Sequence, residues 1–240
     1  MNDIEAVNVR QSRRTYLALP IAESKASYMK KILAEYNGQS GLNMEYLEDG
    51  SDAFNGFGKS YGMFKGVRTL IVIKGPSDDG NLKEKSGHYG EKAVLEATKL
   101  DLGTCWVGGT FERENPVFVL SGGEELVCVI TAGNVPDSYS LKERFFYGVS
   151  RRRTKEIGEM YRSDSEPPEW FISAMHAVQK APSAKNTQKV FFEYSGGTVR
   201  AGVPDDYRFD LVDLGIAKLH FELAAGGYFD MGNNAVFHKT

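Results

Sequence analysis

The stretch "WFISAMHAVQKAPSAKNTQKVFFEYSGG" (residues 170–197) decides the fold, because it repeats a plan found earlier in the chain. Its apolar residues recur at helical spacing up to an Ala-Pro break, and β-prone residues follow. Residues 28–50 show the same order of amphipathic helix, break and strand. Placing Asn186 over Asn43 sets "PSAKN" on "QSGLN". The sequence therefore predicts an internal repeat.

The rest of the second half continues the repeat. Segment 210–232 echoes a helix predicted over 88–103. The matched residues are Leu223 with Leu95 and Ala225 with Ala97. We predict an α+β protein whose halves, 1–162 and a shorter 170–240, form one continuous fold across a Pro-containing linker.

Local patterns predict the remaining elements. Apolar runs at 67–75 and 125–133 predict buried strands, and a helix over 24–38 is expected to stop at Asn37-Gly38. TCWVGGTF (104–111) is predicted to form a turn before a short polar helix. A second polar helix is predicted over 151–161.

Composition describes an ordinary globular protein. Of the 240 residues, 41% are hydrophobic and 25% are charged, which argues against disorder. The net charge of −3 gives no general nucleic-acid surface, so no nucleic-acid partner is expected. Arginine is nevertheless concentrated in two clusters, which suit a small anion better than a polyanion. The clusters are Arg10, Arg13 and Arg14, and Arg151 to Arg153.

Cysteine use and apolar runs bear on location. Two cysteines, Cys105 and Cys128, make a disulfide framework unlikely and fit a reducing cytoplasm. The opening MNDIEAVNVRQ lacks a signal-peptide core, and no window approaches 18 uncharged apolar residues, so no membrane association is expected. The four histidines have no ligand-like spacing, and no metal site is predicted.

Three motifs carry candidate chemistry. Arg10-x-Ser12-x-Arg14 can converge on one phosphate through charge-assisted hydrogen bonds, or it is a solvated basic stretch. The segment 102–109 offers glycine backbone to a ligand, or is a helix end before a buried tryptophan. APSAKNTQ (181–188) presents polar side chains to a flat ligand, or is only a polar turn. No residue set supplies a nucleophile or an acid/base pair, so a cofactor is expected to carry the chemistry.

Together these motifs resemble the nitroreductase family of flavin enzymes. R-x-S-x-R-x-Y at 10–16 is similar to the family's N-terminal signature. Residues 90–109 resemble its central helix and G-x-G-x-x-W-x-G turn, with Asp101 where glycine is usual. VITAGNVPD (129–137) resembles the strand ending in G-x-P, and the arginines at 151–153 resemble a K-x-R near the family's end. APSAKNTQ is similar to the family's A-P-S-x-x-N-x-Q.

The position of that last motif departs from the family. There it follows the first signature by a few dozen residues, where this chain has QSGLN (39–43), which keeps Asn43 and lacks Ala-Pro. The resemblance implies a three-layer α-β-α sandwich with flavin mononucleotide (FMN) at a dimer interface. A chain that carries both motifs resembles a branch in which one chain mimics the dimer by a pseudo-twofold repeat. We therefore expect one FMN per chain and a monomer or weak dimer.

The resemblance also implies roles for residues. Arg10 and Arg14, helped by Arg151 or Arg153, would hold the phosphate, and Ser12 would bond phosphate or ribityl. The second half would border the isoalloxazine and ribityl chain through Pro182, Ser183, Ala184 and Asn186. Gln188 would contact the flavin or only support the turn. Val107, Gly108 and Gly109 would lie near the N5 edge, and the aromatic loop 54–64 would cover the ring or simply pack.

The implied activity is flavin-dependent oxidoreduction. NADH or NADPH would reduce the flavin, which would pass electrons to a nitro, quinone or other electrophilic small molecule. Two alternatives stay open: a flavin-binding protein or sensor without turnover, and a structural protein in which both arginine clusters are solvated.

Overall fold

The computed structural model describes residues 1–55, 60, 62–140, 143, 144 and 154–240. Its helices are α1 (Asp3–Val9), α2 (Glu23–Ser40), α3 (Leu82–Lys99), α4 (Glu169–Gln179) and α5 (Asp210–Ala225). Its strands are β1 (Glu45–Leu47), β2 (Thr69–Pro76), β3 (Gly103–Val107), β4 (Glu124–Gly133), β5 (Tyr161–Ser163), β6 (Phe191–Ser195), β7 (Thr198–Gly202), β8 (Gly227–Phe229) and β9 (Ala235–Lys239). The predicted α+β class is confirmed.

Two sheets carry the repeat. The first has the strand order β1-β2-β4-β3, and the second has the order β5-β6-β7-β9-β8. Without β5, the second sheet has the order β6-β7-β9-β8, which matches the first sheet strand for strand. Along the chain, each set of four strands follows the same succession: a helix, two strands, a second helix and two more strands. All pairs within each set are antiparallel, whereas β5 joins β6 in parallel. The predicted plan of helix, break and strand is therefore present in both halves.

The chain divides into two compact units by its contacts. We call residues 10–80 and 93–151 the arginine unit, and residues 1–9, 81–92 and 152–240 the turn unit. Helix α3 contributes residues to both units. The boundary between the units does not lie in the Pro-containing linker, residues 163–170, that the sequence predicts between the two halves. The two predicted halves and the three-layer arrangement stay predictions.

Each unit has its own core. In the arginine unit, β2 and β4 are buried along almost their whole length, which explains the apolar runs that predicted them. In the turn unit the core is dense in aromatic rings. Phe171, Phe192 and Phe221 are fully buried there, and the rings of Phe192 and Phe221 stack with centroids 5.1 Å apart.

Within the turn unit, α3 and α5 cross at two glycines. A Cβ on Gly87 would lie 2.0 Å from the carbonyl oxygen of Val212, and a Cβ on Gly215 would lie 2.0 Å from that of Glu84. The contact is reciprocal, because each glycine meets the carbonyl three residues before the other. The two glycines have the same spacing as the matched pair Leu95 and Leu223, so the crossing supports the predicted alignment of the two helices.

Four local predictions were wrong. Residues 103–107 form β3 rather than a turn, because β3 pairs with β4. Turns without a helix follow over 112–120. In the described part of 151–161, a single 3₁₀ turn at Ile157–Glu159 precedes β5, because a capping box of Glu156 and Glu159 closes it. Helix α2 passes Gly38 and ends at Ser40, where Gly41 takes a left-handed conformation (φ 75°).

Candidate functional site

The basic motif lies on an extended segment whose side chains alternate. Ser12 forms a parallel bridge with Thr104, and the Arg13 N–H donates to the Thr104 carbonyl at 2.7 Å. Successive side chains of an extended segment point to opposite faces, so residues 10, 12 and 14 share one face. Arg13 takes the other, where its Nε donates to Glu143 at 3.2 Å. The R-x-S-x-R spacing is therefore the spacing of one face of a strand.

Cys105 shows that the three side chains of that face converge. Burial raises the pKa of the Cys105 thiol, while the positive charges of Arg14 and Arg10 and a hydrogen bond with Ser12 act in the opposite direction. Two guanidinium groups and a hydroxyl thus all act on one side chain of β3. Such a set of donors suits a phosphate.

A residue missed by the sequence analysis, Glu143, fixes this segment from behind. Its Oε1 accepts the N–H groups of Arg14 at 2.9 Å and Thr15 at 3.2 Å. Its Oε2 accepts the Ser140 N–H at 2.9 Å, and the Glu143 N–H returns a bond to the Ser140 hydroxyl. Burial opposes ionisation, yet these backbone hydrogen bonds, with those from the side chains of Ser140 and Arg13, lower the pKa of Glu143 to about 2. The sequence signal was Ser140-x-x-Glu143, a capping-box pattern.

The glycine turn follows β3 directly. The Gly108 carbonyl accepts a hydrogen bond from Arg113 Nη1 at 3.2 Å, and a Cβ on Gly109 would meet nothing within 4 Å. Upstream, Asp101 lies in the turn two residues after the end of α3 and adopts the left-handed region at φ 58°. Aspartate tolerates that region better than most residues, which explains how it stands where the family usually has glycine. Trp106 is half-buried rather than fully buried.

The turn 181–188 has an unusual backbone. After α4 ends, Lys185, Asn186 and Gln188 all adopt positive φ, at 54°, 53° and 46°. Each non-glycine residue in this region costs about 1 kcal/mol or more, so surrounding contacts must hold the turn. Backbone strain of this kind concentrates at functional sites.

Gln188 is one of the residues that hold the turn. Its side-chain Oε1 accepts the Lys155 N–H at 2.9 Å, and its Nε2 donates to the Gln179 carbonyl at 3.0 Å. Its own N–H donates to the Ser183 hydroxyl at 3.0 Å. The residue is buried, and both ends of its amide are used within the protein. Of the two roles left open for Gln188, this geometry favours support of the turn.

Asp213, on the first turn of α5, is the second residue that holds the turn, and the sequence analysis missed it. Both carboxylate oxygens accept the Ala184 N–H at 2.9 Å. Burial raises the pKa of Asp213 to about 7; the Ala184 hydrogen bond and Lys189 oppose the shift, and Asp210 reinforces it. Asn186, in contrast, is half-buried, and its side-chain amide makes no hydrogen bond within the described ranges.

The predicted site residues thus fall into two groups. The arginine unit holds Arg10, Ser12, Arg14, Val107, Gly108 and Gly109. The turn unit holds Pro182, Ser183, Ala184, Asn186 and Gln188. Arg151 and Arg153 lie outside the described residues.

The aromatic loop is described only in part. Phe57 and Tyr61 lie outside the described residues. Phe54 is buried against Phe64, with ring centroids 5.4 Å apart, and stacks on Phe111 at 6.0 Å. Packing alone therefore accounts for Phe54, the more modest of the two roles predicted for this loop.

Comparison with solved structures defines the class of fold. The structure of a "putative nitroreductase" from Thermotoga maritima matches with a TM-score of 0.67 and 20% identity, over 99% of this chain and 92% of that one. A nitroreductase family protein from Clostridium difficile 630 matches with a TM-score of 0.51 and 17% identity, over 70% of this chain and all of that one. The chain therefore has a nitroreductase-like fold.

A family model then fixes the family. The model described as "Putative TM nitroreductase" matches residues 2–225. The chain belongs to this nitroreductase family, which confirms the resemblance drawn from the motifs and supports a flavin oxidoreductase in general terms. No curated protein matches the chain. A nitroreductase described in complex with FMN, from Desulfovibrio desulfuricans, is 14% identical with a TM-score of 0.45, over 60% of this chain and 95% of that one. In the described part of the chain, no helix combines the length and apolarity needed to cross a membrane.

Proposed function

We propose that this protein is an FMN-dependent oxidoreductase that uses NADH or NADPH to reduce a nitro, quinone or other electrophilic small molecule. Family membership supports the flavin chemistry. FMN, when bound, would supply the transfer of hydride or electrons. The convergence of Arg10, Ser12 and Arg14 around Cys105 is the observation that carries the proposal, because it provides the donors that a phosphate needs.

The residues present fit FMN in two respects. The guanidinium groups of Arg10 and Arg14 and the hydroxyl of Ser12 would hold the phosphate, on a segment whose backbone Glu143 fixes. The Asn186 amide, which makes no hydrogen bond to the described residues, would bond a flat polar ring edge. We further propose, from the order of the motifs along the chain, that one chain supplies both groups to a single FMN.

Flavin binding tests the proposal first. Purified protein is expected to be yellow, or to quench the fluorescence of added FMN. Arg14→Ala is expected to weaken FMN binding at least tenfold, because a charge-assisted contact to the phosphate is lost. Arg162→Ala is the matched control, since Arg162 is exposed and pairs with Glu193 at 2.9 Å. Absence of FMN binding in the unmodified protein would overturn the proposal.

Mixing tests the single-chain arrangement. Arg14→Ala and Asn186→Ala are each expected to lower FMN retention, and an equimolar mixture is expected to stay as weak as its components. Recovery on mixing would show that the site is completed by a second chain. Anaerobic addition of NADH or NADPH to the FMN-loaded protein is expected to bleach the visible absorbance band of the oxidised flavin. An unchanged spectrum would favour a flavin-binding protein without turnover.

A further inference from the structure

We propose that Asp213 is a positioning residue, which holds the turn 182–188 in the shape that presents Asn186 to the flavin. The proposal rests on the proposed function for its ligand and on the geometry of the turn unit for its mechanism. Asp213 reaches the turn at Ala184, which begins the 3₁₀ turn Ala184–Asn186. One carboxylate therefore fixes the backbone immediately before the left-handed residues.

The strain of the turn shows why an anchor is needed. Lys185 and Asn186 have positive φ in succession, a conformation that a non-glycine chain leaves unless its ends are fixed. Gln188 fixes one end through Ser183 and Gln179. Asp213 fixes the other end through Ala184. Release of the Ala184 N–H would let the backbone relax and turn the Asn186 amide away.

Comparison of the two repeats shows that the fold alone does not require this carboxylate. The register set by Gly87 and Gly215 places Lys85 at the position of Asp213 on the matching helix. In the first repeat, the chain passes from α2 to β1 through Gly41, whose N–H donates to the Asn37 carbonyl at 2.9 Å. Among the described residues, no carboxylate accepts a backbone N–H of residues 41–44; the carboxylate of Glu124 contacts only the side chain of Asn43. The anchor is specific to the repeat that carries the Pro-Ser motif.

The surroundings of Asp213 separate its role from that of its neighbour Asp210. Asp210 Oδ2 accepts the N–H groups of Asp206 and Tyr207 at 3.1 and 3.0 Å and contacts Lys189 Nζ at 3.1 Å. Lys189 also pairs with Asp206. Asp210 thus accepts hydrogen bonds from the loop before α5, whereas Asp213 accepts its hydrogen bond from the turn 182–188. Asp210→Asn is therefore a control that removes a nearby buried carboxylate without touching Ala184.

Hydrogen exchange of FMN-free protein tests the anchor independently of any flavin. Asp213→Ala is expected to speed exchange of the Ala184 amide at least tenfold, because the amide loses its acceptor. Asp213→Asn keeps an oxygen acceptor and is expected to exchange less than threefold faster than the unmodified protein. Asp210→Asn is expected to leave the exchange of Ala184 unchanged at pH 8, where Asp213 is already mostly ionised and the charge of Asp210 no longer decides its protonation. Equal exchange in all four proteins would overturn the anchor.

FMN binding then tests the positioning role. We expect Asp213→Ala to raise the Kd for FMN at least tenfold, and Asp213→Asn to raise it less than threefold. In the unmodified protein the Kd should also rise as pH falls from 8 to 6, because a neutral carboxyl is a weaker acceptor than a carboxylate. The charged groups that bear on this titration are Asp210, which raises the pKa of Asp213, and Lys189, which lowers it. In Asp213→Asn, the Kd for FMN should change with pH only as far as titration of the FMN phosphate itself changes it.

The outcomes are distinguishable. No FMN binding by the unmodified protein overturns the proposed function, while hydrogen exchange still decides the anchor. Tight binding by Asp213→Ala despite faster exchange at Ala184 overturns the positioning role. If Asp213→Ala fails to fold, the pH profiles of the unmodified protein and Asp213→Asn decide the question. Identical profiles overturn the positioning role.

Discussion

The two repeats make the same passage from helix to strand with different chemistry. In the first repeat, α2 ends at a glycine, and Asn43 donates from Nδ2 to Glu124 Oε1 at 2.6 Å. In the second, the turn contains three left-handed residues without a glycine, and Asp213 holds it. The Asn186 side-chain amide makes no hydrogen bond to the part of the chain that the structure describes. Equal topology therefore does not mean equal local structure. Backbone strain is common at binding edges, so the contrast supports the role proposed for the second turn.

Two buried carboxylates extend this contrast to the two units. Glu143 accepts several backbone N–H groups, which lower its pKa to about 2. Asp213 accepts one, and burial raises its pKa to about 7. Glu143 is therefore ionised at any physiological pH, and its hydrogen bonds to the basic segment do not change. The charge of Asp213, and with it the strength of its hydrogen bond to Ala184, changes with pH near neutrality.

The largest expected effect on stability comes from the two glycines at which α3 and α5 contact each other. Gly215→Ala and Gly87→Ala should each lower the free energy of unfolding by about 3 kcal/mol, because either Cβ would meet a carbonyl oxygen of the other helix. Chemical denaturation measures both. Gly38→Ala, in the interior of α2 with nothing within 4 Å of its Cβ, should raise stability by about 0.5 to 1 kcal/mol. Strongly unequal losses at Gly215 and Gly87 would break the proposed match between the helices.

The next effect concerns Glu143. Glu143→Gln should lower the free energy of unfolding at pH 7 by about 2 kcal/mol, because charge-assisted hydrogen bonds are lost. Since the pKa is lowered on folding, the stability from Glu143 is present above its ordinary value of 4.5 and is lost as pH falls from 4.5 toward 2. Denaturation curves between pH 7 and 3 should converge for the two proteins. A constant difference across that range would contradict the assignment.

Asp213 should show the opposite sign. Since folding raises its pKa from 3.8 to about 7, the unmodified protein loses stability as pH rises through that interval. Asp213→Asn should therefore be more stable than the unmodified protein at pH 8, by about 1 to 2 kcal/mol. Thermal unfolding at pH 5 and pH 8 measures the difference. A variant less stable at pH 8 than at pH 5, relative to the unmodified protein, would reverse the sign and refute the shift.

The smallest effect contrasts the two turns directly. Lys185→Gly should raise the free energy of unfolding by about 1 kcal/mol, because glycine relieves the strain of φ 54°. Gly41→Ala should lower it by about 1 kcal/mol, because alanine would be forced to φ 75°. Both changes are measured by urea titration. Effects of the same sign would show that strain does not distinguish the two repeats.

The sequence predicted the elements whose signal is local. Nearly every residue of β2 and β4 is buried, and α5 buries residues on each of its turns. Such burial requires apolar residues at regular positions, so the sequence shows the pattern. Strand β3 was mistaken for a turn because its five residues, next to glycines, gain their structure from pairing with β4. Strands β8 and β9 were missed for the same reason, since each is short and depends on its partner.

The site was predicted in the same uneven way. The basic motif and the turn 181–188 were identified because their spacing is contiguous, and the resemblance to the nitroreductase family rests on them. Glu143 and Asp213 were missed, because each acts on a segment distant in the sequence: Glu143 on Arg14 and Asp213 on Ala184. The capping-box pattern of Ser140 and Glu143 indicates their local bonds, but no local pattern indicates the hydrogen bond from a side chain to a remote backbone N–H.

The sequence was sufficient for the family, the α+β class and the repeat, and it predicts the residues that could hold a flavin, because these depend on composition, spacing and order along the chain. The three-dimensional structure was needed to show which carboxylates fix the predicted segments and where two helices touch at glycine. Hydrogen bonding, burial and close packing join residues that are far apart in the chain, and their energies depend on distances that no local pattern specifies.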